Sequence, residues 1–122
     1  MVEILGTGRT VGGGVVAVDI TWSGDLSGTR SVLWSMEVST GDGDEGVDLG
    51  HLRTDGAFRA QFVEDRASGR REDVPEDADL RDGQITLRFP AGVVGVAVEW
   101  PVWRAVIAVD GVPAASELVT LS

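Results

Sequence analysis

The chain has 122 residues, no cysteine, and twenty acids against ten basic residues, all of them Arg, for a formal net charge of −10. That length suits one domain spanning residues 1–122, able to bury roughly two thirds of its unfolded surface and to fold without covalent staples. The lack of Cys excludes disulfides, thiolate metal sites and cysteine nucleophiles. The charge repels phosphate backbones and anionic lipid, so no nucleic acid and no membrane is expected as a partner.

Lys, Asn and Tyr are all absent. Their codons are AT-rich, so their joint loss points to a high-GC genome. The N-terminal stretch MVEILGTGRT has no basic region leading into a long apolar one, and no signal peptide is expected from it. The longest nearly apolar stretch, Ala91 to Val98, is far shorter than a bilayer span.

In chain order, Val2 to Leu5 is a short candidate strand, and Gly12-Gly13-Gly14, at the end of the glycine-rich Gly6 to Gly14, reads as a flexible or bulged entry to the first core strand. Gly14 to Trp22 alternates, with Val16, Val18, Ile20 and Trp22 on one face and Asp19 and Thr21 on the other. Ser31 to Ser39 repeats the pattern with Val32, Trp34, Met36 and Val38 inward. Val47 to Arg53 follows the Gly-Asp-rich Gly41 to Gly46, and Asp55-Gly56 predicts a tight hairpin turn into Ala57 to Glu64. The acid- and Arg-rich Glu64 to Gly83 lacks apolar periodicity. Within it Ala67-Ser68-Gly69 reads as a turn and Arg70 to Val74 as a short charged edge strand ended by Pro75. Gln84 to Phe89, Val93 to Trp100, Val102 to Val109 and Ser116 to Leu121 complete the set. The expected fold is therefore all-β, an antiparallel two-sheet β-sandwich of about eight strands.

Motifs with chemical content are sparse. Asp42, Asp44, Glu45 and Asp48 crowd one loop, and oxygen-rich loops suit Ca²⁺. Against EF-hand spacing, Asp42 and Asp44 fit the first and third positions, but Val47 stands where Gly belongs and Arg53 where the bidentate Glu belongs. These four residues are the candidate metal ligands, Ca²⁺ is the one candidate cofactor, and a solvated hairpin loop is the simpler reading. Gly6, Gly8 and Val11 fail the dinucleotide fingerprint, and without Lys there is no P-loop. His51, the only histidine, aligns with Val47 and Leu49 on one strand face, a place for a hydrogen-bonded structural residue rather than a general base. Sequence-adjacent carboxylates such as Glu72-Asp73 lack the burial and fixed separation that acid–base work needs. No catalytic residue is assigned, and no enzyme is expected.

The strand after Trp100-Pro101 is apolar on both faces. With Val102 and Val106 facing inward, Trp103, Ala105 and Ile107 form a second apolar face and are the candidate partner-binding residues. The stretches VWRAVIAVDG, FVEDRASGRRED and GDGDE resemble small uncharacterised β-sandwich proteins of high-GC actinobacteria and their phages, a likeness that implies no catalytic or binding residues. The expected function is a non-enzymatic structural or assembly role through protein–protein contacts or self-assembly, such as a virion surface component (capsid decoration or tail) or another subunit of a larger particle. The alternative is a ligand-binding β-sandwich, taking carbohydrate through Trp103 or Trp22 or stabilised by Ca²⁺ at the Asp42 to Asp48 loop.

Overall fold

A computed structural model describes residues 2–26, 28–42, 45–74 and 78–118. It is a sandwich of two antiparallel sheets, one with strand order β1-β2-β8-β7 and the other β10-β9-β3-β4-β5-β6. The strands are β1 (Glu3–Gly12), β2 (Val15–Ser23), β3 (Ser31–Ser39), β4 (Gly46–Thr54), β5 (Ala57–Asp65), β6 (Arg71–Asp73), β7 (Asp79–Arg81), β8 (Gln84–Pro90), β9 (Val102–Val109) and β10 (Val112–Leu118). The all-β two-sheet reading of the sequence is thus the fold.

Period-two alternation builds the core. Val16, Val18 and Ile20 of β2, Ile85, Leu87 and Phe89 of β8, and Met36, Val38 and Leu49 of β3 and β4 lie inside one cluster shared by both sheets. Asp55-Gly56 makes the predicted hairpin turn, with φ of 51° and 78°, the left-handed geometry that a two-residue turn requires and that Asp and Gly tolerate. The charged edge strand is present as β6, three exposed residues long, and β7 at the matching edge of the other sheet is equally short. Short charged edges discourage pairing with other chains.

Three expectations need correction. First, the strand expected over Val2 to Leu5 is longer, and only Gly13-Gly14, at φ 61° and 77°, form the turn into β2. β1 runs to Gly12 and pairs with β2 along its length, with one bulge between Ile4 and Gly6. An edge strand is held by its backbone ladder and needs little side-chain packing, so small residues suffice.

Second, Val93 to Trp100 is not a strand but a single helical turn, α1 (Ala91–Val94), running into a 3₁₀ turn, Gly95–Glu99. Pro90 ends β8, and Gly95, at φ 69°, turns the chain where a side chain would be strained. Val94 and Ala97, three residues apart, are buried while Val96 is 76% exposed, which is helical rather than alternating spacing. This segment carries the chain from β8 in one sheet to β9 in the other.

Third, the faces of β9 are reversed. Trp103, Ala105 and Ile107 are each 0% exposed and belong to the core, whereas Val102, Val106 and Ala108 lie half-buried on the outside. Pairing fixes this orientation: Val38, wholly buried on β3, is the cross-strand partner of Trp103, and cross-strand partners share a face. The assignment of Trp103, Ala105 and Ile107 as an exposed partner face is therefore withdrawn.

Candidate functional site

The loops gather at the two ends of the sandwich, and the ends differ. At one end the α1 and 3₁₀ segment closes over the core. Trp103 Nε1 donates to Trp100 O at 2.8 Å, Arg9 Nη1 donates to Val98 O at 2.9 Å, and the Arg9 guanidinium lies 4.8 Å from the centre of a Trp103 ring. Trp103 is thus covered by a hydrogen-bonded lid and offers no face to a sugar, which corrects its place in the carbohydrate reading.

At the opposite end a cleft of about 730 Å³ opens between the sheets, within the size range of small-molecule sites. The connection from β2 to β3, the Asp55-Gly56 hairpin and the Asp82-Gly83 turn form its walls. Its floor includes Trp22 and Trp34, whose rings sit 5.5 Å apart, tilted by 46°. Arg30, Arg53 and Arg81 line it together with Asp25, Asp55 and Asp82, so its formal charge balances. Among the described residues, no hydrogen bond or ion pair engages the side chains of Arg30, Arg81, Asp55 or Asp82. Trp34 is 3% exposed, and its Nε1 is the one buried side-chain polar atom among the described residues without a hydrogen-bond partner.

Behind this cleft lies a directional hydrogen-bond chain. Arg53 Nε, a donor only, reaches His51 Nε2 at 3.2 Å, so Nε2 accepts and the ring proton sits on Nδ1. Nδ1 donates to Gln61 Oε1 at 2.9 Å, and Gln61 Nε2 donates to Arg88 O of the other sheet at 2.7 Å. His51 and Gln61 are wholly buried, and the His51 ring stacks on Phe58 at 5.2 Å. Both ring nitrogens are hydrogen-bonded, Nε2 within β4 and Nδ1 through Gln61 to the other sheet.

Among the described residues, the carboxylates of the acidic loop are held separately. Thr40 Oγ1 donates to Asp42 Oδ1 at 2.5 Å and accepts from Glu45 N at 3.2 Å, a turn held by its own side chains. Asp48 stands apart on the outer face of β4, paired with Arg66 at 3.0 Å. Asp44 lies outside the described residues. Among the described residues no group of three or more His, Asp or Glu side chains is placed to hold a metal ion.

The outer face of the six-stranded sheet is the remaining candidate surface. Cross-strand partners form rows: Pro113–Ala108–Leu33–Leu52–Ala60, then Ser116–Val106–Ser35–Gly50–Phe62, then Leu118–Arg104–Glu37–Asp48–Glu64–Arg71. Leu33, Leu52, Val106 and Ala108 are half-buried. Phe62 lies flat over Gly50, where an added Cβ would come within 2.4 Å of the ring, and the Arg71 guanidinium sits 3.7 Å above that ring. One half of the face is therefore flat and apolar. The other half clusters three carboxylates, and Asp48 in their midst has its pKa raised by burial, an effect that Arg66 opposes and Glu37 and Glu64 reinforce. The four-stranded sheet turns outward polar pairs instead, including Thr86 Oγ1 to Asp19 Oδ1 at 2.5 Å and Arg88 with Asp79 at 3.1 Å.

No protein-family model, no curated protein and no solved structure matches this chain. The functional reading rests on these surfaces alone.

Proposed function

We propose that this protein acts without catalysis, through protein–protein contact, as a subunit of a larger assembly, and that the outer face of its six-stranded sheet is the contact. The supporting observation is the apolar half-face of Leu33, Leu52, Val106, Ala108 and Phe62. It is set beside the carboxylates Glu37, Asp48 and Glu64. An apolar patch with a charged margin is the anatomy of a contact surface. The carboxylates share their row with Arg104 and Arg71, and Asp48 is paired with Arg66, so the margin presents both signs and suits a partner strip that does the same. The net charge of −10 disfavours a second copy of this chain, because like-charged surfaces brought together cost free energy.

The test is native sizing in the cells the protein comes from. The tagged chain is expected in a complex well above its 12.8 kDa, and Leu33→Glu or Leu52→Glu should release it as a monomer while leaving its thermal melt cooperative. Purified alone, it should be monomeric by light scattering. A wild type that is monomeric in native extract, or a complex indifferent to both substitutions, overturns the reading.

A further inference from the structure

We propose that the cleft at the open end of the sandwich is a binding site for a neutral saccharide, seated against Leu26 and Leu80 and held by Arg30, Asp55 and Asp82. The proposal is independent of the sheet-face contact, which lies on a different surface. Two observations carry it. The cleft is a preformed cavity of about 730 Å³, and in its wall the side chains of Arg30, Arg81, Asp55 and Asp82 have no hydrogen-bond or ion-pair partner among the described residues. Beside them Leu80, 40% exposed, and the half-buried Leu26 give the same wall an apolar side.

The chemistry selects the ligand class. Guanidinium and carboxylate groups side by side supply donors and acceptors in fixed planes, which suits hydroxyls that both give and accept hydrogen bonds. The balance of three Arg and three Asp around the cleft removes the net field that would draw an anion or a cation. Leu26 and Leu80 give apolar surface for the C–H faces of a sugar ring, and the buried indoles of Trp22 and Trp34 line the same cleft and so report on its occupancy. Rigid strands present the loops that line it, an arrangement common to binding sites.

The protein is titrated with neutral disaccharides (maltose, cellobiose, lactose and trehalose) and, as an anionic probe, methyl phosphate, following the four indole N–H signals by ¹⁵N NMR. The number of signals follows from four Trp. Binding should move the Trp34 and Trp22 signals saturably and leave that of Trp103, bonded to Trp100 O at the far end, in place. Arg30→Ala and Asp55→Asn should each weaken the affinity about tenfold, the size of one hydrogen bond to a charged group. Asn keeps the left-handed turn geometry at position 55, so that variant folds. Arg59→Ala, outside the cleft lining, should bind as the wild type does. No shift with any disaccharide, shifts that include Trp103 equally, or a response to methyl phosphate alone overturns the proposal.

Discussion

Gln61→Leu should be among the more costly single changes in this core, although it replaces a polar residue by an apolar one of similar size. Gln61 is 1% exposed and links the sheets, accepting from His51 Nδ1 at 2.9 Å and donating to Arg88 O at 2.7 Å. Leu leaves that ring N–H and that carbonyl unpaired in the interior, at about 1–3 kcal/mol each. The added apolar burial returns about 1–2 kcal/mol, so the net loss is about 1–4 kcal/mol. Urea unfolding followed by Trp emission measures it directly. The companion variant His51→Leu removes the donor that Gln61→Leu strands, so the double variant should be less unstable than the sum of the singles by about 1 kcal/mol or more. A Gln61→Leu protein within about 0.5 kcal/mol of wild type, or a strictly additive double, would refute the buried relay from Arg53 to Arg88.

Two further outcomes concern the outer face. Gly50→Ala places a Cβ 2.4 Å from Phe62 Cζ, so the ring must lift from the sheet and leave Arg71. The expected cost is about 1–3 kcal/mol, read as a lower melting temperature, and an unchanged melt would mean that the ring does not lie over Gly50. Asp48 tests the electrostatics of the same face. Its folded pKa stands above the ordinary value of 3.8, so the native state holds this proton more tightly than the unfolded chain does. That contribution is present in full below the ordinary value and is lost as pH rises through the folded pKa. Asp48→Asn removes this dependence, so its stability relative to wild type should improve from about pH 4 upward, by no more than about 1 kcal/mol for a partly exposed group. A wild type that gains on the variant over that range would show that Arg66 outweighs burial.

How legible the fold was depends on whether each strand has one buried face. β2, β3 and β8 announced themselves because Val16, Val18 and Ile20, or Ile85, Leu87 and Phe89, alternate with polar residues. In the run Ala91 to Glu99, valines at 94, 96 and 98 fit a strand, while Val94 and Ala97 fit a helical turn. Only Pro90, Gly92 and Gly95 marked the difference. β9 is apolar on both sides, so alternation cannot say which side is inside, and the answer lies in its register with Val38 of β3. That register depends on a neighbour more than sixty positions away. β7 was missed because three exposed residues carry no periodic signal.

The cleft was harder still to read, because its parts come from loops far apart in the chain and none of them is a motif. Trp22 and Trp34 both look like core in sequence, and they are core, at 7% and 3% exposure. What makes their end of the sandwich different is the connection above them. At the other end, apolar Val94 and Ala97 fold down as a plug beside Trp103. At the Trp22 end the connections are rich in Gly, Asp and Arg, too polar to leave water for the core, although Leu26 packs against it. A sandwich whose sheets diverge must fill the gap between them with side chains, a plug or a ligand. Here one end is filled by a plug, and at the other the Asp55 and Asp82 carboxylates and the Arg30 guanidinium border open space. Filling that space with apolar side chains, for instance Asp82→Leu together with Arg30→Leu, should raise the melting temperature if the polar rim serves a ligand rather than the fold. A fall would assign those charges to holding the loops.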